Sequence, residues 1–205
     1  MLKKLFLNNP CLEICKKDIE DTFNILISCF SGGGKLLVCG NGGSAADSDH
    51  IVGELLKGFL KKRPLNKKLT DGLKGIGYEN IAERLQMGLP AINLCAQSAI
   101  ISAVSNDLGG ELIYAQQVCG YGREGDVFLG ISTSGNAENI ANAIAVSKAL
   151  GIKTIGLTGG TGGRMKEMCD VCICVPKSRT PDIQELHLPV YHTLCAMVEE
   201  HFFVK

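Results

Sequence analysis

Two turns rich in glycine and hydroxyl side chains stand about 90 residues apart, each between an apolar run and a helix-like one. The first, Gly40-Asn41-Gly42-Gly43-Ser44, follows Leu36-Leu37-Val38-Cys39. The second, Ser132-Thr133-Ser134-Gly135-Asn136, follows Val127-Phe128-Leu129-Gly130-Ile131. A strand–turn–helix junction is a ready oxyanion site, because backbone N–H groups and the helix dipole converge there and glycine lets the chain approach a ligand closely. Serine and threonine hydroxyls add donors without adding charge. Two such junctions point to a phosphorylated small molecule. Groups able to move protons follow. His50 and Glu54 are four residues apart, so both project from one face of the helix that the first turn opens. Near the C-terminus Gln184 and His192 are eight residues apart, about 80° around a helix. His187 lies nearer the start of the same helix, and spacing does not choose between His187 and His192. A carboxylate with an imidazole suits proton transfer near neutral pH.

Holding these groups requires a sheet with helices. Apolar runs at Lys35–Cys39, Ala91–Cys95, Asp126–Ile131, Lys153–Thr158 and Val171–Val175 are short and rich in Val, Ile and Leu, as in parallel strands covered on both faces. Ala137–Leu150 reads as a helix stopped at Gly151, and Gly159–Gly163 as a turn before a short helix. Asp182–Phe203 reads as a final helix after Pro181. The expected architecture is α/β: a doubly wound five-stranded parallel sheet flanked by helices, with N-terminal and C-terminal helices. It forms a single domain over 1–205, with an N-terminal helical segment over about 1–33 closed by Ser31-Gly32-Gly33-Gly34. Residues 60–90 do not fit a simple strand-to-helix link. They carry a basic patch (Lys61, Lys62, Arg63, Lys67, Lys68) read as a solvated face, a turn near Asp71-Gly72, and a helix over Glu79–Met87. A connection this long reads as a lid, a binding loop or an oligomer contact.

Composition narrows the function. With 21 basic and 21 acidic residues the formal net charge is zero, and no basic stripe dominates, so no nucleic-acid partner is expected. The N-terminal Met1–Leu7 soon meets Asn8, Asn9 and Pro10, without the apolar run of a signal peptide or a membrane span. A cytoplasmic protein with no membrane partner is expected. Ten cysteines raise the alternatives of disulfides or of a metal cluster at Cys169-x-x-Cys172-x-Cys174. Cys172 and Cys174 instead fit the alternation of a strand, and no second Cys/His pair follows at zinc-finger spacing. With Cys39, Cys95 and Cys195 in core elements, reduced and mostly buried thiols are the reading.

Several segments together resemble the sugar isomerase (SIS) fold and, within it, the phosphoheptose isomerases. They are Gly40-Asn41-Gly42-Gly43-Ser44 with Asp47, His50 and Glu54; Ser105-Asn106-Asp107; Gly122-Arg123-Glu124-Gly125-Asp126; Gly130–Asn136; and Asp182-Ile183-Gln184-Glu185 with His187 and His192. They run in the family's order from about residue 35 to 195. The resemblance implies isomerisation of sedoheptulose 7-phosphate to D-glycero-D-manno-heptose 7-phosphate through an enediol. Ser44, Ser132, Thr133 and Ser134, with Gly42 and Asn136, would hold the phosphate. Asn41, Asn106, Asp107 and Gln184 would line the sugar. Glu54 and His192 would be the acid–base pair, which favours His192 over His187. His50, Glu54, Gln184 and His192 match positions that bind zinc in some members of the family, and its members are usually homotetramers with shared sites. The chain departs from the family pattern at Ala137, where serine often stands, and at Lys57-Gly58, where an arginine is common. The 60–90 segment is also longer than the family's. Two other readings stay open: a non-catalytic sugar-phosphate-binding regulatory protein of replication-initiation type on the same fold, and an isomerase of another phosphosugar.

Overall fold

All five apolar runs form strands of one parallel sheet in the computed structural model, which describes residues 1–203. The strands are β1 (Leu36–Gly40), β2 (Ala91–Asn93), β3 (Val127–Ser132), β4 (Lys153–Gly159) and β5 (Val171–Val175). They lie in the order β2-β1-β3-β4-β5. The helices are α1 (Leu2–Asn8), α2 (Lys16–Ser31), α3 (Gly43–Leu56), α4 (Lys67–Gly75), α5 (Glu79–Ala82), α6 (Ser98–Asp107), α7 (Ile113–Tyr121), α8 (Glu138–Ala149), α9 (Met165–Met168) and α10 (Thr180–Phe202). Strand residues are buried on both sides, and alternate ones feed two cores. Leu36, Val38, Leu129, Ile131, Ile155 and Leu157 pack with α2, α3 and α10. Leu37, Cys39 and Phe128 pack with Tyr114 and Val118 of α7 and Ile140 and Ile144 of α8. The strand order reverses between β1 and β3, and in open α/β sheets ligands bind beyond the carboxyl ends of the strands at that switch. Both glycine turns begin there.

The structure corrects several local expectations. β2 stops at Asn93, because the Asn93 side chain accepts the Cys95 N–H (2.8 Å) and turns the chain. The N-terminal segment is not one helix. Pro10 supplies no N–H, so α1 ends at Asn8 and a 3-10 turn over Pro10–Cys15 precedes α2. Asp71-Gly72 lies inside α4, which Asn66 caps by accepting the Leu69 N–H (2.9 Å). The helix expected over Glu79–Met87 closes at Ala82. Pro181 sits within the first turn of α10, where its missing N–H has no partner to lose. The 60–90 segment leaves and returns at a Pro64–Gln86 bridge, tightened by the Met87 N–H on Arg63 O (2.7 Å). Cys172 and Cys174 share one face of β5 with Sγ atoms 3.7 Å apart, and all ten cysteines are free. No helix among the described residues is long and apolar enough to cross a membrane.

Candidate active site

Gly40 pairs in register with Ile131, so the first turn opens beside the second. At Gly40 a Cβ would stand 2.5 Å from the backbone of Ser44, and Gly42 adopts φ +56°, so glycine is required at both. Ser44 is buried in the first turn of α3, at the positive end of the helix dipole, and the Ser44 and Ala45 N–H groups donate to Asn41 O and Gly42 O (3.0 Å each). The second turn runs from buried Ser132 through Thr133 to exposed Ser134 and Asn136. Asn41 ties the two together: it exchanges a pair of 3.0 Å amide hydrogen bonds with Asn139 on α8. The Tyr114 hydroxyl donates to Gly40 O (2.7 Å) and lies 3.1 Å from Asn41 Oδ1. Asn106 and Asp107 end α6, exposed and bonded to each other (2.7 Å).

The candidate proton-transfer groups lie farther along α3. His50 and Glu54 share a face as their spacing requires, with Nε2 and Oε1 3.2 Å apart. His192 on α10 meets them, its Nε2 3.2 Å from His50 Nε2. Burial and the neighbouring His50 charge hold His192 below the usual imidazole range, against the pull of Glu54 and Asp47. Tyr191, next in sequence, holds His50 from behind. Its hydroxyl is 3.1 Å from both His50 Nδ1 and Asp47 Oδ1. If it donates to Asp47, it accepts from His50 Nδ1–H and leaves the His50 Nε2 lone pair facing the cluster. Burial raises Asp47, and burial together with Asp47 raises Tyr191, so the phenol keeps its proton.

With both imidazoles unprotonated at Nε2, three acceptor atoms point at one another and call for a proton or a cation between them. The ligand atoms of His50, Glu54 and His192 all lie within 4.8 Å of one another. The two 3.2 Å separations match the edge of a tetrahedron around zinc, roughly 3.3 Å for ligands at about 2.0–2.1 Å. The donor set therefore fits a zinc ion. Gln184, expected as a fourth ligand, is not brought to this cluster within the chain. Its amide rests over Gly43, 2.5 Å from where a Cβ would stand, at the N-terminal end of α3. His50 is seven residues on, about 10 Å along the axis.

Another histidine of α10, His187, packs against β4. His187 is buried with Nε2 3.1 Å from Thr158 O, and its Nδ1 has no protein partner among the described residues. Burial pushes its pKa down to about 4, the Thr158 carbonyl opposing. The unfolded chain titrates near 6.5, so below that pH the unfolded state binds a proton that the folded state refuses. Stability is expected to fall as pH drops from about 6.5 to 4, by up to roughly 3 kcal/mol at 1.36 kcal/mol per tenfold change. Thermal melts of His187→Gln across this window check it. A pH slope equal to that of the unmodified chain removes His187 as the source.

Sequence reasoning missed the second layer around these groups. Arg63, read as part of a solvated basic patch, is 0 % exposed, and its guanidinium pairs with buried Glu199 (2.8 Å). Phe59 sets its ring 5.4 Å from that of His192. A signal for Glu199 was available: a carboxylate four residues after Cys195, on the apolar stripe of α10, demands a buried partner.

Known proteins share this arrangement of elements. The family model for the SIS domain matches residues 76–159. A phosphoheptose isomerase of Aneurinibacillus thermoaerophilus is 42% identical over 185 residues, covering 90% of this chain and 82% of its own. Phosphoheptose isomerase 2 of Campylobacter jejuni is 42% identical over 88% of this chain and 78% of its own. The solved phosphoheptose isomerase of Francisella tularensis superposes with a TM-score of 0.77 at 31% identity, covering 97% of this chain and 96% of that one. On this identity across nearly its whole length, the chain belongs to the phosphoheptose isomerase family of SIS-domain proteins.

Proposed function

We propose that the protein isomerises sedoheptulose 7-phosphate to D-glycero-D-manno-heptose 7-phosphate. One observation carries this reading: α3 begins at the phosphate turns and brings His50 and Glu54, two turns later, against His192. An open-chain ketose phosphate anchored by Ser44, Ser132, Thr133 and Ser134 would lay its far end along α3 toward that cluster. Gln184, over Gly43, and Asn41, locked by Asn139, would meet the sugar between the two. Asn106 and Asp107 are assigned to the sugar as well. Aldose–ketose isomerisation moves a proton between C1 and C2 through a cis-enediol. One group takes the carbon proton while another carries the hydroxyl proton. Glu54 and His192 are assigned these roles; burial and His50 favour the neutral form of His192, whose single free lone pair accepts a proton or binds a metal, but not both at once. His50 is oriented by Tyr191 and holds the pair together.

Zinc, held by His50, Glu54 and His192, would polarise the substrate carbonyl and stabilise the enediolate. Three protein ligands is the number typical of a catalytic zinc site. The chain is assigned to one domain over 1–205 that assembles as a homotetramer with shared sites. Exposed Leu60, Leu69, Ile76, Tyr78 and Leu85 on and beside α4 and α5 support a subunit contact there. NMR of the ketose phosphate incubated with purified protein tests the reading, with and without chelator. Aldoheptose phosphate is expected, and chelation is expected to remove most turnover. No aldose under either condition defeats the isomerase; turnover indifferent to chelator defeats the catalytic metal. A monomer mass by light scattering of the same sample defeats the tetramer.

A further inference from the structure

We propose that Arg63 and Glu199 are positioning residues, a buried tether that fixes how far Glu54 reaches toward His192. The inference rests on the role given to Glu54 above. Glu54 lies in the last turn of α3, where carbonyls have no partner within the helix and ends fray. Its carbonyl is held all the same: Arg63 Nη2 donates to Glu54 O (2.8 Å) and Nη1 to Leu55 O (2.6 Å). Arg63 Nε donates to Glu199 Oε1 (2.8 Å). The Glu199 carboxylate also accepts the N–H groups of Phe59 (2.8 Å), Leu60 (2.7 Å) and Lys61 (3.1 Å), so the loop after α3 winds around it. Phe203 covers the guanidinium, its ring centroid 4.8 Å from Arg63 Cζ.

Glu199 and His192 ride on the same helix, seven residues and therefore two turns apart, on one face. α10 thus supplies both the imidazole that meets Glu54 and the carboxylate that, through Arg63, holds the backbone of Glu54. Phe59, pinned by Glu199, closes the loop by lying against His192. A glycine cap could stop α3 without burying a charge. A buried ion pair adds little net stability over apolar residues of similar volume. What the pair supplies beyond a cap is registration of α3 against α10. Misplacement by about 1 Å, even from a change away from the chemistry, can cost on the order of 100-fold in rate.

The test measures kcat and KM for sedoheptulose 7-phosphate in the full chain with zinc present, together with zinc affinity by calorimetry. Breaking one side of a buried pair can unfold a chain, so Arg63→Lys and Glu199→Gln are measured beside the double variant Arg63→Met/Glu199→Met, which leaves no lone charge. The expected result is a fall in kcat of roughly 10- to 100-fold in the folded double variant, with KM within about threefold. Zinc affinity should weaken alongside, and Arg63→Lys should recover part of kcat because it keeps a cation on the α3 carbonyls. A folded double variant with unchanged kcat and zinc affinity overturns the tether, as does an effect confined to KM. Turnover by the unmodified chain separates the two readings: its absence defeats the isomerase, and its presence beside an unaffected double variant defeats only the tether.

Discussion

Glu54→Gln is expected to lower kcat by roughly 10²–10⁴-fold, the range for removing one general acid or base, with the fold intact. The substitution is isosteric and its site is only half-buried, so little packing is lost. His192→Gln should fall in the same range, because in the proposed mechanism the two groups hand the proton along one path. The double variant should then be little worse than the weaker single one, since residues that act as a unit are not additive. Zinc content must be measured with the rates. A variant that keeps its zinc and loses turnover places that residue in proton transfer; one that loses both places it in metal binding first. Either variant turning over at near the unmodified rate removes its residue from the mechanism.

The second large effect is expected from a methyl group. In Gly135→Ala the new Cβ would stand 1.9 Å from Gly162 O, at a residue with φ +68°. The neighbouring loop cannot yield easily. Met165 N–H is bonded to Gly135 O (3.1 Å), Arg164 N–H to Asn136 Oδ1 (3.0 Å), and a Cβ on Gly163 would itself meet Ser134 O at 2.4 Å. Left-handed backbone costs an L-residue about 1–2 kcal/mol, and forced repacking adds about 1–3 kcal/mol. Relieving the clash pushes Ser132–Asn136 off its position, so KM for the phosphorylated substrate is expected to rise at least 10-fold, with a lower melting temperature. Gly125→Ala is the control. It shares the positive φ (+91°) but has nothing within 4 Å of the added Cβ, so it should lose stability and keep KM. Equal KM in the two variants would show that this backbone interlock does not shape the turn.

The parts of the site that sequence revealed are the local ones. Glycine turns after apolar runs, and a His and Glu at one-turn spacing, are fixed by backbone geometry within a dozen residues. The lateral meeting of elements was not legible. The angle between Gln184 and His192 around α10 says nothing of which part of α3 each one faces, and the structure sends Gln184 to Gly43 and His192 to His50. Arg63 and Glu199 are 136 residues apart, and a lysine-rich neighbourhood disguised Arg63 as surface. Tyr191 stood beside a chosen residue, and its role as the support of His50 needed the packing of α10 on α3. α4 was missed because Asp71-Gly72 has turn chemistry, although the capping Asn66 upstream was a start signal.

The first glycine turn and the His50–Glu54 pair share one helix, and a helix returns a side chain to the same face only once per turn, about 5.4 Å of travel. Moving the carboxylate by a single residue swings it about 100° away from His192. Under the proposed function, the span between anchored phosphate and proton transfer is therefore quantised. On the same reading, refitting this scaffold to a shorter or longer sugar calls for a whole-turn shift along α3 or a rebuilt anchor.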